Sequence, residues 1–137
     1  VSYALFRQTI ESQFATAWDE ETPIRWENVE FTVEGNEFVE FELSPEQAEQ
    51  VTINANPTIR EDGAIRVTVF VRQNVGTARA EALADIVRGA LQRKALANGV
   101  QTYATSRLPA QTVELESGAG WYVVPTETRY HADYADS

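Results

Sequence analysis

The sequence predicts an α+β fold, with a mixed, largely antiparallel sheet of about five strands and two helices packed on one face. Three observations carry this expectation. Two segments, 3–18 and 77–97, repeat apolar residues three and four positions apart, the period of an amphipathic helix. Several shorter segments alternate apolar and polar residues between turn-forming clusters, the period of a half-buried strand. The chain has 137 residues, of which 43% are hydrophobic and 10% aromatic, which suits a single domain, 1–137, with one sizeable core.

In the first helix Tyr3, Phe6, Ile10, Phe14 and Ala17 form the apolar stripe, with Arg7, Gln8, Glu11 and Ser12 on the other face. Ser2 is the expected N-cap. The run Asp19-Glu20-Glu21-Thr22-Pro23 ends the helix, because the residue before a proline is pushed out of helical geometry. Residues 23–28 read as a short extended piece, with Trp26 wedged against the helix end near Trp18.

Residues 37–43 place Val39, Phe41 and Leu43 on one face and Phe38, Glu40 and Glu42 on the other. Residues 65–71 do the same with Ile65, Val67, Val69 and Val71 against Arg66, Thr68, Phe70 and Arg72. The two strands are expected to pair, with Glu40 and Glu42 across from Arg66 and Arg72. Between them lie about twenty residues that include Pro45, Asn54, Asn56, Pro57 and Glu61-Asp62-Gly63. A connection that long between paired strands is unusual. The expectation is a mobile loop at about 44–63 that orders on contact with a neighbour.

The second helix, 77–97, has Thr77 as candidate N-cap and Ala80, Leu83, Ile86, Val87, Ala90 and Leu91 as its stripe. Asn98-Gly99 is its stop, and Arg93 and Lys94 sit in the last turns, where the helix dipole favours cations. Three strands follow at about 100–106, 111–116 and 121–130, with Ser117-Gly118-Ala119-Gly120 as a hairpin turn and Pro125 marking an edge or a bend.

Charge narrows the partners. Eleven basic and 21 acidic residues give a net −10. Residues 1–62 hold 14 acids against Arg7, Arg25 and Arg60, a balance of −11; residues 63–137 hold seven acids against eight bases, +1. Neutralising a nucleic acid backbone needs the opposite sign, so no direct sequence-specific nucleic acid binding is expected, and an anionic membrane surface is disfavoured for the same reason. A partner with a basic patch, or a second copy offering its less acidic half, fits better. Apolar runs of a few residues fall far short of a membrane span, and no charged-then-apolar leader is visible.

Chemistry has little to build on. Without Cys there are no disulfides, thiolate zinc sites or Cys nucleophiles, and with His131 as the lone histidine a multi-histidine metal site requires several subunits. His131 and Asp133, flanked by Tyr130 and Tyr134, are an acid–base candidate, but they lie where chain ends fray. Glu40 and Glu42 resemble a hydrolase carboxylate pair, yet strand alternation explains them as a solvated or partner-facing surface. Ser44-Pro45-Glu46 lacks a nucleophile elbow. Gly118-Ala119-Gly120 lacks the helix a phosphate loop needs, and Asp19-Glu20-Glu21 lacks the spacing of a calcium loop. No enzyme, no cofactor and no metal site are expected.

The order of elements resembles the tail terminator, or tail-completion, proteins of long-tailed bacteriophages. The resemblance runs from the helix ending Ala17-Trp18 through Pro23-Ile24-Arg25-Trp26-Glu27-Asn28-Val29 and the strands Glu37-Phe38-Val39-Glu40-Phe41 and Arg66-Val67-Thr68-Val69-Phe70-Val71. It continues with Gly76-Thr77, the Ala-rich helix around Leu83-Ala84-Asp85, and a late strand opening Gly120-Trp121-Tyr122. The resemblance implies a structural virion protein that forms a ring, six copies being the expected number, on the head-proximal end of the tail tube, stopping its polymerisation. The implied partners are other copies of itself, the tail tube protein and the head–tail connector protein. A tail tube subunit or a connector adaptor is the alternative, and a small-molecule-binding domain is a third reading from fold class alone. No family residue transfers by motif. The candidate assembly residues come from this sequence: Glu40, Glu42, Arg66 and Arg72 on the strand faces, and Pro45, Asn54, Pro57 and Arg60 in the connecting segment.

Overall fold

Three long strands set the architecture. In the computed structural model, which describes residues 3–33, 35–73, 76–114 and 120–135, β2 (Glu37–Gln50), β3 (Thr58–Arg72) and β6 (Gly120–Ala135) run antiparallel side by side. The two-residue β1 (Ile24–Arg25) joins β2 in parallel, and β4 (Val100–Arg107) closes the other side in the order β1-β2-β3-β6-β4. β5 (Gln111–Glu114) also pairs with β6. Helices α1 (Tyr3–Trp18) and α2 (Ala78–Leu91) cover one face. This is the mixed, largely antiparallel α+β sheet the sequence predicts, with six strands.

The main core lies between helices and sheet. Phe6, Ile10, Phe14 and Trp18 are buried at a strict four-residue spacing; Ala17, expected in the stripe, is exposed, because Trp18 occupies the last inward position. Trp18 donates its indole N–H to Thr22, which closes the helix end. Trp26 packs on Phe14 and Phe41, with ring centroids 6.4 and 5.1 Å apart. From the sheet, Val39, Phe41 and Leu43 meet Ile65, Val67, Val69 and Val71 in the predicted inward register. Full burial of each such side chain contributes roughly 1.5–3 kcal/mol. On the opposite face Phe38, Phe70, Trp121 and Val123 form a smaller cluster, partly roofed by Phe31.

Several boundaries differ from expectation. The 44–63 loop is mostly strand: β2 runs to Gln50 and β3 begins at Thr58, so the connection is 51–57 alone. Its polar composition imitates a loop because backbone pairing, with little side-chain burial, holds this part of the hairpin. α2 ends at Leu91, not at 97, since Gln92 turns extended and Arg93 takes a left-handed φ of 51°. Arg93 and Lys94 therefore lie beyond the helix. Thr77 occupies the N-cap position without a side-chain capping bond. His131 and Asp133 sit inside β6, paired to β3, rather than in a frayed end. The Ser2 cap, residues 115–116 of the fifth strand and residues 117–119 of its turn lie outside the described residues.

Candidate functional site

The surface free of helices is the outward face of the sheet together with its two edges. At one end of that face lies the Phe38–Phe70–Trp121 cluster; beyond it the face becomes a lattice of charge. Glu42, Arg66 and Glu127 occupy one cross-strand row, and Arg66 has no ion pair among the described residues. Arg129 bridges Glu46 at 2.8 Å and Glu127 at 3.4 Å. Arg60 holds both oxygens of Asp133, at 2.8 and 2.9 Å. This fork keeps the Asp133 carboxyl below the ordinary carboxylate range and raises the guanidinium in turn. His131 shares a hydrogen bond with the Tyr103 hydroxyl, and its other ring nitrogen stands 4.0 Å from Asp133. Asp133 is thus engaged through both oxygens by Arg60 rather than by His131.

The eight predicted assembly residues fall into three places. Glu40 and Glu42 line a groove of about 550 Å³ between β2 and the segment after β1, which also brings Glu27 and Glu30 to them. Glu40 faces Thr68, not an arginine, and pairs with Arg25 at 3.6 Å; Glu42 is the one directly opposite Arg66. Arg72 lies instead over the Trp121 ring, 4.4 Å from its centroid, a cation–π contact. Pro45 sits at the bulge of β2 on its outer edge, Arg60 in β3, and Asn54 and Pro57 in the 51–57 turn. Sequence reasoning missed Glu27 and Glu30, because only the parallel pairing of Ile24 with Val39 carries them to β2.

The outer edge of β2 is blunted where it leaves β1. Glu27 accepts the Leu43 backbone N–H at 2.7 Å, and Arg7 donates to both Glu27 and the Leu43 carbonyl. Pro45 then removes the next donor, so an unpaired strand edge is closed by side chains. Past this point the β2–β3 hairpin forms an arm whose tip carries Ile53, 98% exposed, and Val51. At the arm's base Glu61 is buried and accepts a hydrogen bond from the Tyr130 hydroxyl at 3.2 Å. Burial pushes the Glu61 carboxyl above its ordinary range, and burial together with Glu61 pushes the Tyr130 phenol upward. Gly63 makes this contact possible, since a β-carbon there would fall 2.7 Å from the Tyr130 ring and the Ser44 carbonyl oxygen.

Among the described residues no group of three or more His, Asp or Glu side chains converges to hold a metal ion, and no helix is long and apolar enough to cross a membrane. The arrangement offers ion pairs, an acidic groove and an exposed apolar tip.

Comparison with known proteins places the chain in a family. No curated protein matches the sequence. One solved structure has a TM-score of 0.71 at 17% identity, covering 100% of this chain and 99% of its own. Another, a chain from the virion of a native gene transfer agent particle, has a TM-score of 0.50 at 20% identity, covering 96% and 100%. At these identities both show a shared fold. The sequence model of phage tail terminator proteins matches residues 4–130, nearly the whole chain, and the protein therefore belongs to the phage tail terminator family, a structural component of the virion's tail.

Proposed function

We propose that this protein closes into a ring, with six copies as the expected number, on the head-proximal end of the tail tube. There it stops tube polymerisation and presents a surface to the head connector. The observation that carries the reading is the family match over residues 4–130. The gene transfer agent chain of like fold, itself part of a virion, is in keeping with it. The role is architectural rather than enzymatic, with Glu40, Glu42, Arg66, Arg72, Pro45, Asn54, Pro57 and Arg60 at or near contacts with neighbours. The turn 51–57 orders against such a neighbour.

Electron microscopy of the purified protein tests the reading. Single rings, or monomers that become rings on tube ends, are the expected result. Stacked tubes made by the protein alone would assign it as a tube subunit instead. Hydrogen exchange tests the turn: residues 51–57 should gain protection on assembly, and protection already complete in the free protein would contradict that part.

A further inference from the structure

The two edges of the sheet differ in charge. On the β1–β2 side, the groove is lined by Glu27, Glu30, Glu40 and Glu42, of which Glu27 pairs with Arg7 and Glu40 with Arg25. Glu30 and Glu42 have no ion-pair partner among the described residues. Apolar surface accompanies the acids, for Val29 in the same groove is 59% exposed.

At the opposite edge, the segment after α2 runs along the outside of β4. Arg93 donates its backbone N–H to the Tyr103 carbonyl, Lys94 donates to the Thr102 hydroxyl, and Thr102 donates back to the Lys94 carbonyl. These bonds fix a turn with Arg93 left-handed, which leaves the Arg93 side chain exposed and that of Lys94 half-buried. Neither has an ion-pair partner among the described residues. Exposed apolar surface accompanies these cations too, from Tyr103, whose backbone carbonyl accepts from Arg93. Five strands at about 4.8 Å spacing separate the two edges by roughly 19 Å, so they cannot neutralise each other within one copy.

We propose that these edges are the two halves of one head-to-tail contact, in which the Arg93–Lys94 turn of one copy seats against the Glu30–Glu42 groove of the next. The proposal rests on the ring reading and gives that ring its subunit contact. Charge complementarity selects the occupant. A symmetric dimer through either edge would set like charges together, which is disfavoured, whereas head-to-tail docking sets opposite charges together at every step. Each added copy leaves one acidic and one basic edge open, so the contact propagates until rotation closes it. Apolar residues rimmed by opposite charges are also the usual make-up of a protein interface.

The test uses two charge-reversed full-length chains, R93E/K94E and E30K/E42K, followed by sedimentation velocity and electron microscopy. Glu30 and Arg93 are exposed and Glu42 and Lys94 half-buried, so thermal unfolding checks that each variant folds. Each variant alone sets like charges at every contact and should associate at least tenfold more weakly than wild type. An equimolar mixture restores opposite charges at every contact in alternating rings, and a chain carrying all four changes restores them in uniform rings. Because the chain has no Cys, an E42C/K94C chain captures weak association, and its disulfide ladder should extend beyond dimers. Rings of wild-type strength from both single variants would overturn this contact and leave the ring standing. Loss of tube binding with rings intact would overturn it in favour of the tube protein as occupant of the groove. Wild-type chains that never form rings, alone or on tubes, with no ladder from the Cys pair, would overturn the ring and the contact together.

Discussion

From Glu37 to Leu43 on β2 and from Ile65 to Arg72 on β3, alternate side chains pass beneath the helices and are almost wholly buried. From Glu46 to Gln50 on the same β2 strand every side chain is exposed, and the facing stretch of β3 is mostly half-buried. Apart from one irregularity between Pro45 and Gln47, a continuous ladder joins the two regions. The body of this hairpin is held by burial; the arm is held by backbone bonds and by ion pairs such as Arg129 with Glu46 and Arg60 with Asp133. A strand that continues past its own core contributes little to stability there.

This comparison can be broken first in the body. Phe41→Ala removes a fully buried ring from between Phe14 and Trp26, and should cost about 3–5 kcal/mol in urea unfolding. A loss under about 1 kcal/mol would mean the body is not the stabilising half. At the junction, Gly63→Val forces a side chain into the Tyr130 ring and the Ser44 carbonyl. It should cost about 1–3 kcal/mol, less than Phe41→Ala, and separate the Tyr130 hydroxyl from Glu61.

Glu61 sharpens the comparison through pH. Its folded carboxyl titrates above the unfolded value because of burial, so its contribution to stability is fully present below the unfolded value and lost as pH rises through the folded one. Relative to wild type, Glu61→Gln should therefore fare better at pH 7 than at pH 4. Asp133 has the opposite sign: Arg60 depresses it, so its contribution is present above the unfolded value and lost as pH falls through the folded one. Asp133→Asn should be most harmful at neutral pH. Urea midpoints at both pH values check the pair, and equal gaps at the two pH values would remove the electrostatic distinction. The smallest effect belongs to the arm's tip. Ile53→Ser should leave stability within about 0.5 kcal/mol of wild type while weakening assembly, read by thermal unfolding and by ring counts on tubes.

The body was legible because its pattern reflects burial. Phe6, Ile10 and Phe14 announce α1, and the alternation of Val39, Phe41 and Leu43 with that of Ile65 to Val71 announces the central pair. The arm was not legible, since Glu46, Gln47, Glu49 and Gln50 carry no apolar period when neither face of a strand is covered. The end of α2 was misplaced for a related reason. No Gly or Pro stands at Gln92–Lys94, and the turn is fixed by hydrogen bonds from β4, which no local pattern records. The acidic groove was half legible: Glu40 and Glu42 stood out by strand alternation, whereas Glu27 and Glu30 arrive through the β1–β2 pairing. Arg72 and Trp121 likewise meet only because β3 pairs with β6.

The central claim is that this protein ends tail tubes. Its most direct test is to grow tubes from purified tail tube protein with and without this chain and to image them by cryo-electron microscopy. The account predicts one ring at one end of each tube and no further growth from that end once the ring is seated. Tubes that keep lengthening at the same rate from both ends, or that incorporate this chain along their length, would contradict it.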